Sequence, residues 1–98
     1  LIVLPLFEKD GMGGAARKLN STLNSMKGIT SLIDSSKSIG RRYARADEIG
    51  IPWAVTIDHT TLEDETVTVR RRDDQKQIRI GIRELLSLIS SGNVSSLF

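Results

Sequence analysis

Thr66-Val67-Thr68-Val69-Arg70-Arg71-Arg72-Asp73-Asp74-Gln75-Lys76-Gln77-Ile78-Arg79-Ile80-Gly81-Ile82 is the stretch that decides the fold. Branched apolar residues alternate with polar ones on both sides of an Asp-Asp turn. A side-chain period of two puts Val67 and Val69 on one side of a strand, and Thr66, Thr68 and Arg70 on the other. The pattern repeats after the turn. Ile78, Ile80 and Ile82 face inward; Gln77 and Arg79 face outward. Two such runs joined by a short polar turn predict an antiparallel hairpin over 66–71 and 77–82.

Working outward, Arg83 to Ser90 carries Leu85, Leu86, Leu88 and Ile89 and predicts a closing helix that Gly92 stops. Upstream, Trp53 to Asp58 predicts another strand. Thr60 to Glu65 is expected to be an acidic connection. Pro52 pushes residue 51 towards an extended backbone. Ser38 can cap a helix over 39–49 that ends at Gly50. At the start, Leu1 to Phe7 is continuously apolar, as in a strand covered on both faces, with Pro5 marking its end or an irregularity. Glu8 to Gly14 forms a glycine-rich loop. Ala15 to Lys27 has Leu19, Leu23 and Met26 at helical spacing, with Gly28 as its cap. Thr30 to Ile33 is a short strand. Strand–helix–strand predicts a parallel pair. The whole chain, residues 1–98, is thus expected to be one α/β domain of about five strands and three helices in three layers.

Composition narrows the function. No cysteine is present, which excludes a disulfide scaffold and any thiolate metal site. One histidine, His59, makes a histidine-rich metal site implausible and is expected to be an ordinary loop residue. No apolar run approaches the ~20 residues of a membrane span. The chain opens in mid-strand without an initiator methionine, so it is expected to be cut from something longer. Net charge is only +2, but eight of the nine arginines lie between residues 41 and 83. They cluster as Arg41-Arg42-x-x-Arg45 and Arg70-Arg71-Arg72, with Asp47-Glu48, Glu63-Asp64-Glu65 and Asp73-Asp74 nearby. Arginine beside acids suits bidentate recognition better than a diffuse basic tail.

Three constellations could carry chemistry. Gly11-Met12-Gly13-Gly14-Ala15-Ala16 matches G-x-G-x-x-[G/A] after a strand, with Asp34 about twenty residues on, as in a dinucleotide site. Glu8, Lys9 and Asp10 spoil the tight turn, and a loop opening a helix is the favoured reading. The second is the helix with Arg41 and Arg45 on one face and Asp47 and Glu48 as partners. The alternative there is a solvated helix held by ion pairs. The third is the hairpin, whose guanidinium groups can fork onto phosphates or base edges while Asp and Gln read Watson–Crick edges. The alternative is an edge hairpin kept soluble by charge. The carboxylates at 63–65 and 73–74 read as solvated turn acids.

Ser38-Ile39-Gly40-Arg41-Arg42-Tyr43-Ala44-Arg45-Ala46-Asp47-Glu48-Ile49-Gly50-Ile51-Pro52 resembles the C-terminal anticodon-binding domain of class II aminoacyl-tRNA synthetases, and more narrowly that of dimeric glycyl-tRNA synthetase. Val3-Leu4-Pro5-Leu6, Ala54 to Asp58, Thr66 to Arg70, Arg72-Asp73 and Gln77-Ile78-Arg79 keep that family's order. The resemblance covers essentially the whole chain. Ala46 departs from a threonine, Arg71 from an acid and Asp74 from a serine. The resemblance implies a three-layer α/β/α fold whose five-stranded mixed sheet has one antiparallel strand. It implies no catalysis in this chain. ATP and magnesium belong to a catalytic domain of the same protein, which ligates glycine to its tRNA. It also implies a homodimeric parent in the cytoplasm or mitochondria, off the membrane, with the anticodon stem-loop of glycine tRNA as partner. Arg42, Arg45, Arg70, Arg72, Asp73, Gln77 and Arg79 are the implied tRNA contacts, with Arg41, Asp47 and Glu48 in support. Two other functions compete: a non-catalytic nucleic-acid-binding or scaffold protein reusing this fold, and a nucleotide-binding module built on Gly11 to Ala16.

Overall fold

The computed structural model describes residues 1–6, 11–34, 41–42, 50 and 52–92. Strand β1 is Ile2–Pro5, followed by helix α1 at Met12–Asn24 and strand β2 at Leu32–Ile33. Strand β3 is Trp53–Ile57, helix α2 His59–Asp64 and strand β4 Thr66–Arg71. Strand β5, Gln77–Gly81, runs directly into helix α3, Ile82–Ser90. The five strands form one sheet in the order β2-β1-β3-β4-β5. β1 pairs in parallel with β2 and β3, and β4 is antiparallel to both β3 and β5. One antiparallel strand in a mixed sheet is what the resemblance implied.

The register divides the sheet into two faces. Val3, Val55 and Val69 pair across three strands, and Val69 pairs with Ile78. With Ile57, Val67 and Ile80 they meet Met12, Ala16, Leu19 and Leu23 of α1 and Leu85 and Ile89 of α3 in one core. Each such valine or leucine, removed from water, contributes about 1.5–3 kcal/mol. On the opposite face Ile2, Leu4, Ala54 and Thr56 are also buried. The continuous apolar run of β1 follows from this, since both of its faces are covered. The helix expected over 39–49, which would supply the third layer, lies outside the described residues except for Arg41 and Arg42, both helical.

Three expectations are corrected. Residues 60–65 are not a connection but belong to α2 and its cap. Asp58 accepts from the Thr61 amide at 3.0 Å, and the Thr61 hydroxyl accepts from the Asp58 amide at 3.0 Å. This reciprocal capping box satisfies donors that a short helix would otherwise leave orphaned. His59 is therefore the first residue of a helix, exposed, rather than a loop histidine. The first helix also starts three residues earlier than expected and ends at Asn24. Gly11 caps it at φ +87°, a left-handed backbone open to glycine. Met26 lies beyond α1 yet packs on the core.

Candidate nucleic-acid interface

The hairpin of β4 and β5 brings together most of the described candidate residues. Its five-residue connection is closed by a clip. The Arg71 Nε donates to Asp74 Oδ1 at 3.0 Å, Arg71 Nη2 pairs with Asp74 Oδ2, and the Lys76 amide donates to Asp74 Oδ1 at 3.1 Å. The Arg71 guanidinium beside it holds the Asp74 carboxyl at about 2, below the ordinary 3.8, with the Lys76 amide adding to the effect. Arg71 is raised in turn, first by its hydrogen bond to Asp74. The two residues that depart from the family pattern in this hairpin thus pair with each other.

Beyond the clip, the three consecutive arginines part company. Arg70 lies on the sheet face opposite α1, paired with Ala54 on β3 and Gln77 on β5, and is only 7% exposed. The expectation that it projects from the hairpin is corrected: β4 is an internal strand, and the Arg70 side chain is buried on the face opposite α1. Arg72 is exposed in the turn, 3.5 Å from Asp73, and its amide donates to Pro52 O at 2.9 Å. Asp73 and Gln77 are exposed too.

Arg79 lies two residues beyond Gln77 on the same side of β5, roughly 7 Å away along an extended strand. Its Nη1 donates to Thr66 Oγ1 at 2.9 Å and lies 3.4 Å from Asp58 Oδ1, while Nη2 pairs with Asp58 Oδ2. Burial alone would push the Asp58 carboxyl up. The hydrogen bonds from Arg79 and Thr61 and the Arg79 charge outweigh it, so the group sits below its ordinary value. Asp58 was not among the sequence candidates. Its signal was there, in an Asp-x-x-Thr spacing at the end of a strand.

Arg42 is placed elsewhere. It is 4% exposed, and its guanidinium donates to backbone carbonyls at the ends of two parallel strands. Nη1 reaches Pro5 O, and Asp34 O at 3.2 Å; Nη2 reaches Leu6 O at 3.3 Å. Its Nε has no hydrogen-bond partner among the described residues. Arg42 therefore ties β1 to the segment after β2. Arg41 is exposed. Arg45, Asp47 and Glu48 lie outside the described residues.

The glycine-rich segment opens α1 and packs into the core through Met12. Met12 and Gly13 are buried, and Leu62 from α2 reaches to within 3.9 Å of where a Gly11 side chain would begin. Asp34 stands at the end of β2, with its carbonyl engaged by Arg42.

Comparison with known proteins follows the same lines. Residues 1–91 match the anticodon binding domain family. Glycine–tRNA ligases are close relatives. The chain is 54% identical to that of Methanothermobacter thermautotrophicus over 86% of its length, and 56% identical to that of Aeropyrum pernix over 87%. In each case it spans 15% of the relative. The fold matches the RNA binding domain of threonyl-tRNA synthetase from Cryptosporidium parvum, with a TM-score of 0.81 over 92% of this chain and 22% of that one, at 24% identity. Prolyl-tRNA synthetase from the same organism matches at 0.79 over 94% of this chain and 20% of its own, at 22% identity.

Proposed function

The chain belongs to the anticodon binding domain family, in its glycyl-tRNA synthetase form, and from that premise we propose that its edge hairpin reads the anticodon loop of glycine tRNA. The observation that carries the proposal is the placement of Arg72, Asp73, Gln77 and Arg79, exposed together on the outer hairpin of the sheet. Arg72 extends from the turn and is suited to a phosphate, where charge matters more than direction. Asp73, Gln77 and Arg79 offer an acceptor, an amide and directed donors to the edges of splayed-out bases. Arg42 and Arg70 serve from beneath, by holding the strands on which these side chains stand. Arg45, with Asp47 and Glu48, would extend the contact from the helix expected over 39–49.

The parent protein would ligate glycine to its tRNA with ATP and magnesium in a catalytic domain outside this chain, acting as a homodimer in the cytoplasm or mitochondria. This domain would hold the anticodon arm so that the acceptor end reaches that site. The test is binding of the full-length protein to a glycine anticodon stem-loop, beside a loop with a changed anticodon, at low and moderate salt. Tighter binding to the glycine loop at both salts is expected. Equal, salt-sensitive binding would remove base reading from this surface.

A further inference from the structure

An arginine offers five N–H donors in a rigid fork. Arg79 uses one edge of that fork internally. Nη1 and Nη2 face the Asp58 carboxylate end-on, and Nη1 also donates to Thr66 Oγ1 at 2.9 Å. The other edge, Nε with the second Nη2 hydrogen, makes no hydrogen bond to the described residues, and the side chain is 38% exposed. Asp58 cannot swing away freely. Its Oδ1 also accepts from the Thr61 amide at 3.0 Å and the Thr61 hydroxyl at 3.1 Å, so moving it uncaps α2. The guanidinium is therefore clamped by Thr66 of the adjacent strand β4 and by the helix cap.

Pairing changes what this arginine can do. A cation neutralised at contact has little net charge left to attract a phosphate. Its free N–H pair keeps direction, and two neutral acceptors on a base edge match that geometry. Arg72, whose acid partner is 78% exposed and 3.5 Å away, is bound far more loosely.

We infer that Asp58 is a positioning residue that sets base specificity: it neutralises Arg79 and fixes its guanidinium so that the free edge reads paired acceptors of an unstacked base instead of anchoring a phosphate. The inference rests on the anticodon-binding function proposed above.

The experiment measures affinity of the full-length protein for the glycine anticodon stem-loop and for a changed loop across a salt series. The proteins are wild type, Asp58→Asn, Arg79→Gln and the double variant. Asparagine keeps the N-cap, so thermal melting should change little. In Asp58→Asn the preference for the glycine loop should fall about tenfold. Its salt dependence should steepen by about 0.7 in log–log slope, as the freed cation takes up a phosphate. The double variant, with wild-type net charge, should return to the wild-type slope without regaining the preference. Unchanged preference and slope in Asp58→Asn would leave Asp58 as a helix cap alone and overturn the inference. If that variant does not fold, Arg79→Gln decides. A lost preference at unchanged slope supports base reading, and a kept preference with a slope flatter by about 0.7 makes Arg79 a phosphate anchor and overturns it. A wild-type protein that does not discriminate between the loops would instead sink the proposed function itself, and this inference with it.

Discussion

Arg70 and Arg79 stand on the same side of the sheet, on adjacent antiparallel strands, each at an outward position of an alternating run. Arg70 is 7% exposed and Arg79 38%. The difference comes from strand order. β4 lies between β3 and β5, whereas β5 is the sheet's edge. Buried in the middle of the sheet, the Arg70 guanidinium becomes part of the scaffold. On the edge strand the Arg79 guanidinium keeps a free face, and its acid partner orients it without covering it. One residue type in one local pattern thus divides into support and contact.

The sharpest way to break that contrast is to remove the arginines expected to be support. Arg42→Ala strips the charged donor from three backbone carbonyls and should lower stability by about 3 kcal/mol in denaturant unfolding. Arg70→Ala should follow at about 2 kcal/mol. If either variant unfolds like wild type and only loses RNA affinity, burial is no guide to role here. Arg79→Ala should cost under about 1 kcal/mol, as exposed pairs do, yet weaken the glycine anticodon loop about tenfold relative to a changed loop. A large stability loss there would place Arg79 with the scaffold.

Asp58→Ala tests the shared carboxylate from the helix side. Loss of the cap should cost about 1 kcal/mol, a loss that Asp58→Asn should largely spare. The smallest effect is expected at the turn. Asp74 is held at about 2, so the stability it contributes is present above the ordinary 3.8 and is lost as pH falls through about 2. The gap in melting temperature between wild type and Asp74→Asn should therefore close between pH 4 and pH 2. A gap that persists at pH 2 would mean that the clip works without its charge.

Much of this was legible in the residues. The hairpin from 66 to 82, the strand at 53 and the closing helix follow from period-two and helical apolar patterns. The run from Leu1 shows its burial through its lack of alternation. The cap at Asp58 escaped because a short, acid-rich segment has no apolar stripe to mark it as a helix, although the Asp-x-x-Thr spacing was there. Among the site residues, Asp73, Gln77 and Arg79 were legible as outward. Arg70 was not, because alternation says which side a residue faces and not whether that side is covered. Arg42 was legible only as one of a basic pair.

The sequence by itself determined the class of fold, the hairpin and its inward face, since those depend on spacing along a single segment. Its motif from 38 to 52 pointed to the family. Only the tertiary structure decided which arginines are buried and which stay exposed, and that Asp58 meets Arg79 across twenty-one residues. Those outcomes depend on which strand lies beside which and what covers each face. Local periodicity has no access to that information, because burial and ion pairing are properties of neighbours brought together from distant parts of the chain.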